Sequence, residues 1–344
     1  MIKAHTAGVG DLLRGSAAWR GLANAFPEAR RHLWFLTTRP GTASEEFIAS
    51  HHLIDSFQAS VKGKEGLKGW KQLFQDASAM AERTRPDLVI DFEPHGLRTS
   101  ILAWWVGLRA KAPTVGIAQV PLRRAFYTLA APGMRRYAEL RGLPFPIEYT
   151  ERDFVALAAL GIERNGMPIE LRECEVARAF HARLLAQAGT ERPLLGLNIG
   201  CGLAGSTHRR PDMELIARLT RELVQRHGFD LVMTGAPFES EINEEFLRRF
   251  PVPAKVTNLA GKTSIRELTG AIAACRMLIS GDSGPYHMGV ALRIPTLALF
   301  NFPNPVHYHH HPWIQCLVAP TVAAFPEAMA AAERLLALPA AVPG

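Results

Sequence analysis

The sequence predicts an α/β protein built from two doubly wound domains. Short apolar runs, typical of buried strands, alternate with longer helical stretches along the 344 residues. Each half of the chain contains one such series of alternating strands and helices, and the two series join near residues 161–173. Because strand–helix alternation builds parallel sheets covered on both faces, we expect each half to bind its ligand at the carboxyl ends of its strands.

The apolar runs give the expected strands and domain limits. In the first half the strands are expected over residues 2–5, 32–37, 88–91 and 114–117, with a helix over residues 11–25. In the second half they are expected over residues 194–199, 231–234, 277–280 and 296–300. The first domain then covers residues 1–170 and the second residues 171–325. A C-terminal segment, 326–344, is expected to pack its helix back on the first domain.

The most informative motif is the run SGDSGPYH at residues 280–287, between an expected strand and a helix. Asp282 or Ser283 suits a helix N-cap, Gly284 lets the backbone approach a ligand, and Pro285 suits the first helical position. Free N–H groups and the helix dipole there favour an anion. The motif therefore predicts a phosphate-binding turn, with a plain capped helix as the alternative.

Two segments resemble the bacterial lipopolysaccharide heptosyltransferases, glycosyltransferase family 9. The longer is residues 261–305, GKTSIRELTGAIAACRMLISGDSGPYHMGVALRIPTLALFNFPNP, which resembles the diphosphate-binding signature of that family. The shorter is Gly8-Val9-Gly10-Asp11-Leu12-Leu13, followed by Phe26-Pro27, near the N-terminus. Two ordered motifs so far apart are hard to meet by chance. The resemblance extends from Ile2 to about Trp313 and implies the GT-B fold, with an acceptor-binding first domain and a nucleotide-sugar-binding second domain facing across a cleft.

The resemblance also implies site residues. Asp11 matches the proposed catalytic base, and a helix N-cap is its alternative role. The donor-binding positions that match the family are Asp282, Ser283, Gly284 and His287 for the diphosphate, Thr263 for the base, Glu239 for the ribose hydroxyls, and Gly200 and Gly202 in a loop facing the phosphates or the sugar. The alternative for Glu239 is a charge at a helix N-terminus, and for the glycines a plain turn.

One segment departs from the family pattern. The family has a Lys two residues before a Trp-Pro pair, and here that Lys falls on His208 and the Trp on Arg210. We expect Arg209 or Arg210 to supply the missing positive charge to the diphosphate, as a planar fork instead of a point charge. The alternatives are a different sugar nucleotide or poor transfer.

The net charge of +7 comes from the first half of the chain. Residues 1–150 hold 20 Lys and Arg against 13 Asp and Glu, whereas the remainder holds 19 of each class. Clusters at Lys62/Lys64/Lys68/Lys71, Arg123/Arg124 and Arg135/Arg136 would attract an anionic partner or membrane surface; ordinary solvated helix faces are the alternative. Arg98, Arg123 and Arg124 are assigned to the acceptor. No nucleic-acid-binding motif is found, so an acidic glycolipid is favoured over nucleic acid.

Composition and histidine placement exclude several other classes. No apolar run approaches the roughly 20 residues of a spanning helix, no signal peptide precedes the first strand, and the four cysteines are scattered without metal-ligand spacing. We therefore expect a cytoplasmic protein with reduced thiols. Adjacent histidines in the loop 306–312 cannot all face one ion, so no metal site is expected. A protonated histidine of this loop is expected to assist the leaving diphosphate.

Together these observations predict an inverting, metal-independent glycosyltransferase that needs no cofactor. Asp11 would deprotonate an acceptor hydroxyl, which displaces a nucleotide diphosphate from the sugar. ADP-heptose is the favoured donor and the lipopolysaccharide inner core the favoured acceptor, reached by peripheral contact with the inner membrane surface. The alternatives are another nucleotide sugar with a polysaccharide or protein acceptor, a GT-B-fold sugar-nucleotide epimerase, and a non-catalytic nucleotide-sugar-binding homologue.

Overall fold

The computed structural model describes residues 1–4, 9–37, 41–61, 67–188, 192–201 and 207–339. The chain divides into two compact units, the first made of Met1–Ala7 and Arg14–Ile169 and the second of Gly8–Leu13 and Glu170–Gly344. Within the described residues each unit holds one six-stranded sheet. All strand pairs are parallel, so the doubly wound α/β class predicted from the sequence is confirmed.

The sheet of the first unit has the strand order β3-β2-β1-β4-β5-β6, which is typical of doubly wound nucleotide-binding folds. Its strands are β1 (Ile2–Ala4), β2 (His32–Thr37), β3 (Ser56–Val61), β4 (Val89–Asp91), β5 (Thr114–Ile117) and β6 (Leu129–Ala131). The helices up to the break between the units are α1 (Val9–Arg14), α2 (Ser16–Ala25), α3 (Ala43–Ser50), α4 (Leu67–Thr84), α5 (Arg98–Ala110), α6 (Met134–Arg141) and α7 (Tyr149–Leu157).

The sheet of the second unit repeats that order, with β7 and β10 in the centre. Its strands are β7 (Leu194–Asn198), β8 (Asp230–Met233), β9 (Val256–Asn258), β10 (Cys275–Ser280), β11 (Thr296–Phe300) and β12 (Ile314–Val318). Its helices are α8 (Glu175–Ala188), α9 (Met213–His227), α10 (Ser240–Arg249), α11 (Ile265–Ala273), α12 (Gly284–Ala291) and α13 (Phe325–Leu336). None of the described helices of either unit is long and apolar enough to cross a membrane.

The core of each unit forms where helices cover the central strands. In the first unit α4 buries Leu73, Ala77 and Met80, at helical spacing, against a cluster that includes Trp34 and Leu36 of β2. The helix expected over residues 11–25 is divided, because α1 ends at Arg14 and α2 begins at Ser16 after Gly15. Asp11 therefore lies on a short helix of its own, whose residues up to Leu13 cluster with the second unit.

The C-terminal helix corrects one expectation. Helix α13 buries Ala328, Ala332 and Leu335 in the core of the second unit, against α9 and β11. Small side chains on this face let the helix lie close to its neighbours. Its apolar face is thus covered by the second unit, and the expected return to the first domain is wrong.

The assignment of Arg123 to the acceptor is a second expectation that the structure corrects, because the Arg123 side chain is 0% exposed. Its guanidinium lies 3.0 Å from Oδ2 of Asp91 and donates to the carbonyl of Gly96 at 2.9 Å and to the hydroxyl of Tyr127 at 2.6 Å. Burial raises the pKa of Asp91 to about 6, against the opposing effects of Arg123 and Tyr127. Arg123 therefore ties the end of β4 to the helical turn Pro121–Phe126, and only its neighbour Arg124 is exposed.

We predict that Arg123→Met lowers the free energy of unfolding by about 3–5 kcal/mol, because it leaves the buried Asp91 carboxyl without its partner. The matched control is Arg124→Met, which removes the same charge from an exposed neighbour and should change stability by less than about 0.5 kcal/mol. Urea unfolding followed by tryptophan fluorescence measures both. Equal midpoints for the two variants would show that the buried ion pair does not stabilise the first unit.

Candidate active site

The second unit has its topological switch point between β7 and β10, where doubly wound sheets bind ligands. The loop after β7 and the turn after β10 meet at the carboxyl ends of these strands. The Ser283 hydroxyl donates to Oδ1 of Asn198 at 2.9 Å, and Ser280 lies 3.0 Å from Ser283, between the two hydroxyl oxygens. These bonds fix the turn that precedes α12.

The N-terminus of α12 is open. Ser283 occupies the N-cap position with extended backbone (φ −149°, ψ 170°), but its side chain makes no cap bond to the helix. A Cβ atom added to Gly284 would meet no atom of the described residues within 4 Å. The first turn of α12 can therefore present backbone N–H groups to an anion without interference from a side chain.

Asp282 does not cap α12. Its carboxylate is held instead by side chains from two other loops of the second unit. Its carboxylate accepts hydrogen bonds from Nδ2 of Asn304 at 2.9 Å and Nδ1 of His307 at 2.8 Å, and it forms an ion pair with Arg209. Burial raises the pKa of Asp282, but the bonds and charges of His307 and Arg209 outweigh it and lower the pKa to about 2. Asp282 is thus a permanent anion that fixes Arg209 beside the turn.

The histidine of the predicted motif joins α12 to α1. Nδ1 of His287 lies 2.9 Å from Nε2 of His309, and both rings are 3% exposed. The other edge of His287 faces Gly10, where an added Cβ atom would lie 2.6 Å from Cδ2 of the ring. Glycine is therefore required at this position for α1 to approach α12 so closely.

Asp11 is the next residue after Gly10, which makes this contact with His287. It is half-buried and is the third residue of α1, which begins at Val9. Asp11 therefore lies inside the first helical turn and does not occupy the N-cap position that the sequence left open as its alternative role. The segment that carries it belongs to the same unit as the turn before α12.

Three side chains of this site lie close enough together to hold a metal ion, if distance is the only criterion. Ligand atoms of Asp282, His287 and His307 lie within 4.8 Å of one another. However, Asp282 already accepts bonds from Arg209 and Asn304, and a guanidinium beside the carboxylate opposes a cation. The geometry is that of an ion-paired support for the turn, and we assign no metal to it.

Glu239 has a different environment from the one expected. It is 1% exposed, and its two oxygens accept the backbone N–H groups of Cys201 and Ala236, each at 2.7 Å. A Cβ atom on Gly200 would lie 2.1 Å from this carboxylate, which explains the glycine. Glu239 thus joins the loops after β7 and β8, and a bond to ribose hydroxyls must use the remaining lone pairs of a buried group. That role stays a prediction.

The other predicted residues are less constrained. Thr263 is half-buried just before Ser264, the N-cap of α11. His208 is exposed, with its ring centroid 5.7 Å from that of Phe302, and Arg210 is half-buried. Gly202 lies outside the described residues, as do Lys62 and Lys64 of the basic cluster. In the first unit Arg124 is exposed, and Arg98 is half-buried with its guanidinium 5.6 Å from the centroid of the Trp70 ring.

Sequence reasoning missed Asn304 as part of this site and gave no individual role to Asn198 or His309, which lie in segments that it expected near the phosphates. The available signal was positional, since each is a polar residue in or near a loop that follows a central or neighbouring strand of the second sheet. The loop histidines were expected near the diphosphate, but neither the bond of His307 to Asp282 nor that of His309 to His287 could be assigned from spacing.

Known proteins resemble this chain in sequence and in fold. The chain is 32% identical over 118 residues to lipopolysaccharide heptosyltransferase 2 of Salmonella typhimurium, covering 34% of this chain and 33% of that protein. Its matches to the curated relatives therefore span about a third of their length. The crystal structure of the glycosyl transferase family 9 from Veillonella parvula has a TM-score of 0.75 and 20% identity, covering 97% of this chain and 96% of that chain.

A second solved structure, E. coli ADP-heptose LPS heptosyltransferase II, has a TM-score of 0.67 and 17% identity, with coverage of 97% and 98%. These likenesses confirm the predicted GT-B fold class. The family model described as glycosyltransferase family 9 (heptosyltransferase) matches residues 151–324, about half of the chain. That range contains the turn before α12 and the residues that hold it, and the chain belongs to glycosyltransferase family 9.

Proposed function

We propose that this protein transfers heptose from ADP-heptose to an anionic glycolipid, the lipopolysaccharide inner core being the favoured acceptor. The observation that carries the proposal is the open N-terminus of α12 at the switch point of the second sheet, in the same unit as Asp11. Two similar proteins support the choice of sugar: the E. coli structure is an ADP-heptose LPS heptosyltransferase, and the Salmonella relative is a lipopolysaccharide heptosyltransferase.

The donor diphosphate would accept hydrogen bonds from the first N–H groups of α12, with the helix dipole adding to the attraction. Gly284 leaves room for this approach because, in the part of the chain that the structure describes, no atom lies within 4 Å of its would-be Cβ. Arg209, fixed by its ion pair with Asp282, supplies positive charge next to His208, the position where the family pattern has Lys. These fixed donors stabilise the negative charge that grows on the diphosphate as it leaves.

Asp11 would act as the general base. Its carboxylate takes the proton of the acceptor hydroxyl as that oxygen attacks the anomeric carbon. The bond from the anomeric carbon to the diphosphate oxygen breaks in the same displacement, and the leaving diphosphate keeps the electron pair. A single displacement inverts the anomeric configuration.

The acceptor would be held by the first unit, where the excess positive charge lies. Arg124 and Arg98 are the accessible members of the three arginines assigned to it, since Arg123 is buried. Exposed apolar side chains on the same unit, among them Leu122, Trp104 and Leu108, suit contact with a glycolipid-bearing surface.

For the donor site we predict that ADP raises the melting temperature by about 5–10 °C at a concentration one hundred times its Kd. Gly284→Val should abolish this shift, since the new side chain enters the space in front of the helix. The control is Ala43→Val, which puts valine at the exposed first position of α3 and should leave the shift intact. Thermal unfolding with and without ADP measures it, and an unchanged shift in Gly284→Val would remove the diphosphate from this turn.

For the base we predict that Asp11→Asn lowers kcat by roughly 10²–10⁴, because the amide cannot take the acceptor proton. The ADP-induced shift and the melting temperature should remain near those of the wild type. Initial rates at saturating donor and acceptor measure the effect.

Asp212→Asn is the matched control for this change. Asp212 is a true N-cap, whose Oδ1 accepts the N–H groups of Glu214 and Leu215 at 2.9 Å, and Asn caps about as well. Its activity should stay close to that of the wild type. If Asp11→Asn is equally active, Asp11 is not the base.

For the acceptor we predict that Arg124→Glu weakens binding to lipopolysaccharide micelles and leaves ADP binding unchanged. Wild-type binding should fall steeply with added salt, because exposed charges are screened over roughly 8 Å at physiological ionic strength. Arg248→Glu, an equal charge change on exposed α10 of the second unit, is the control. Salt-insensitive binding, or equal loss in both variants, would show that the basic half does not hold the acceptor.

A further inference from the structure

The first unit contains a cavity of about 720 Å³ at the edge of its sheet where the strands begin. Ile2, His32 and Val89 line it, and they are the first residues of β1, β2 and β4. The acceptor is expected at the other edge, because doubly wound sheets bind ligands at the carboxyl ends of their strands. The volume is within the range of roughly 300–1,000 Å³ that small-molecule sites occupy.

The interior of this cavity is apolar. Leu22, Trp34, Met80 and Val106 contribute to its wall, and each is at most 5% exposed. The one polar atom of the indole of Trp34 is satisfied, since Nε1 donates to Ser60 at 2.9 Å. The wall therefore offers apolar surface to a ligand and no unsatisfied tryptophan N–H group.

The mouth is positively charged. Four arginines line the cavity against two acidic residues, namely Arg30, Arg31, Arg83 and Arg85 against Glu28 and Asp87. Arg31 is committed to the carbonyls of Leu53 and Ala29. Arg30 and Arg85 are exposed and form no ion pair with any described residue. Arg85 has left-handed backbone (φ 41°) because it ends α4, where its N–H donates to the carbonyl of Ala81 at 2.9 Å.

The pKa of His32 is lowered in part by the same positive charges. Burial lowers the pKa of His32, and the positive charges of Arg83 and Arg30 lower it further, against the opposing charge of Asp55. Charge from two of the lining arginines therefore acts on a residue in the cavity wall.

We propose that this cavity binds an amphiphilic anion, with its acidic head between Arg30 and Arg85 and its hydrocarbon chain along Trp34 and Met80. An apolar interior below a cationic mouth matches both parts of such a molecule. A purely ionic ligand would make no contact with the apolar interior, and an uncharged hydrocarbon would form no ion pair with Arg30 or Arg85. The head can be a carboxylate, as in a fatty acid, or a phosphate, as in a lipid headgroup.

The test is calorimetric titration of the full chain with octanoate, decanoate and laurate below their micelle concentrations. One saturable site should bind them, with affinity rising about fourfold for each added methylene as the chain is buried. Dodecyl phosphate replaces laurate to distinguish the two head groups, and tighter binding of either one assigns the head. Absence of saturable binding by all four amphiphiles would overturn the proposal.

Variants locate the site. Ala29→Trp places a large ring at an exposed position of the lining and should remove laurate binding. The double variant Arg30→Ala/Arg85→Ala should weaken laurate by about tenfold or more and leave uncharged dodecanol unaffected. The control, Arg136→Ala, removes an exposed charge from α6 outside the cavity and should bind laurate as the wild type does. Laurate binding unchanged in Ala29→Trp, or equally weakened in Arg136→Ala, would place the ligand elsewhere.

Discussion

The turn before α12, where we propose that the donor binds, depends on one buried carboxylate. Asp282 gathers Arg209, Asn304 and His307 around the turn after β10, and their opposite charges and hydrogen bonds keep it ionised. Because these partners satisfy Asp282, it does not reach the helix that follows, and the start of α12 stays open. In the proposed function, the same ion pair positions Arg209 to supply positive charge to the leaving diphosphate. A single anion thus supports the turn and orients its counter-charge.

Close packing brings a distant segment to the same unit. The His287 ring lies against Gly10, so α1 is held beside α12 although its chain neighbours on both sides belong to the first unit. A base must be positioned relative to the sugar whose substitution it assists, and small misplacements are costly. Helix α1 ends at Arg14 and α2 begins at Ser16, so the residues up to Leu13 cluster with the second unit while α2 belongs to the first. In the proposed mechanism, the break at Gly15 therefore separates the segment that carries the base from the helix that follows it in the first unit.

The arginines that give the first unit its excess positive charge lie in different environments. Arg123 is buried with Asp91 and secures the end of β4, whereas its neighbour Arg124 is exposed. Arg30 and Arg85 stand at the mouth of an apolar cavity where the strands begin. Net charge alone gives the long-range field of the unit, and burial decides which charges can meet a ligand.

The sequence by itself determined the class of the fold and the main turn of the site. The central strands, such as β7 and β10, are buried on both faces and appear as continuous apolar runs, and the run at 280–287 carries its turn chemistry locally. The outer strands β3, β6, β9 and β12 were not expected, because a strand with one neighbour is only partly covered and its apolar pattern is weak, as in β9. Tertiary structure alone decided that Arg209 meets Asp282 across 73 positions, that α13 covers the second sheet, and that Arg123 is buried beside exposed Arg124. Such contacts depend on how elements pack, and residue order carries little information about distances across a folded chain.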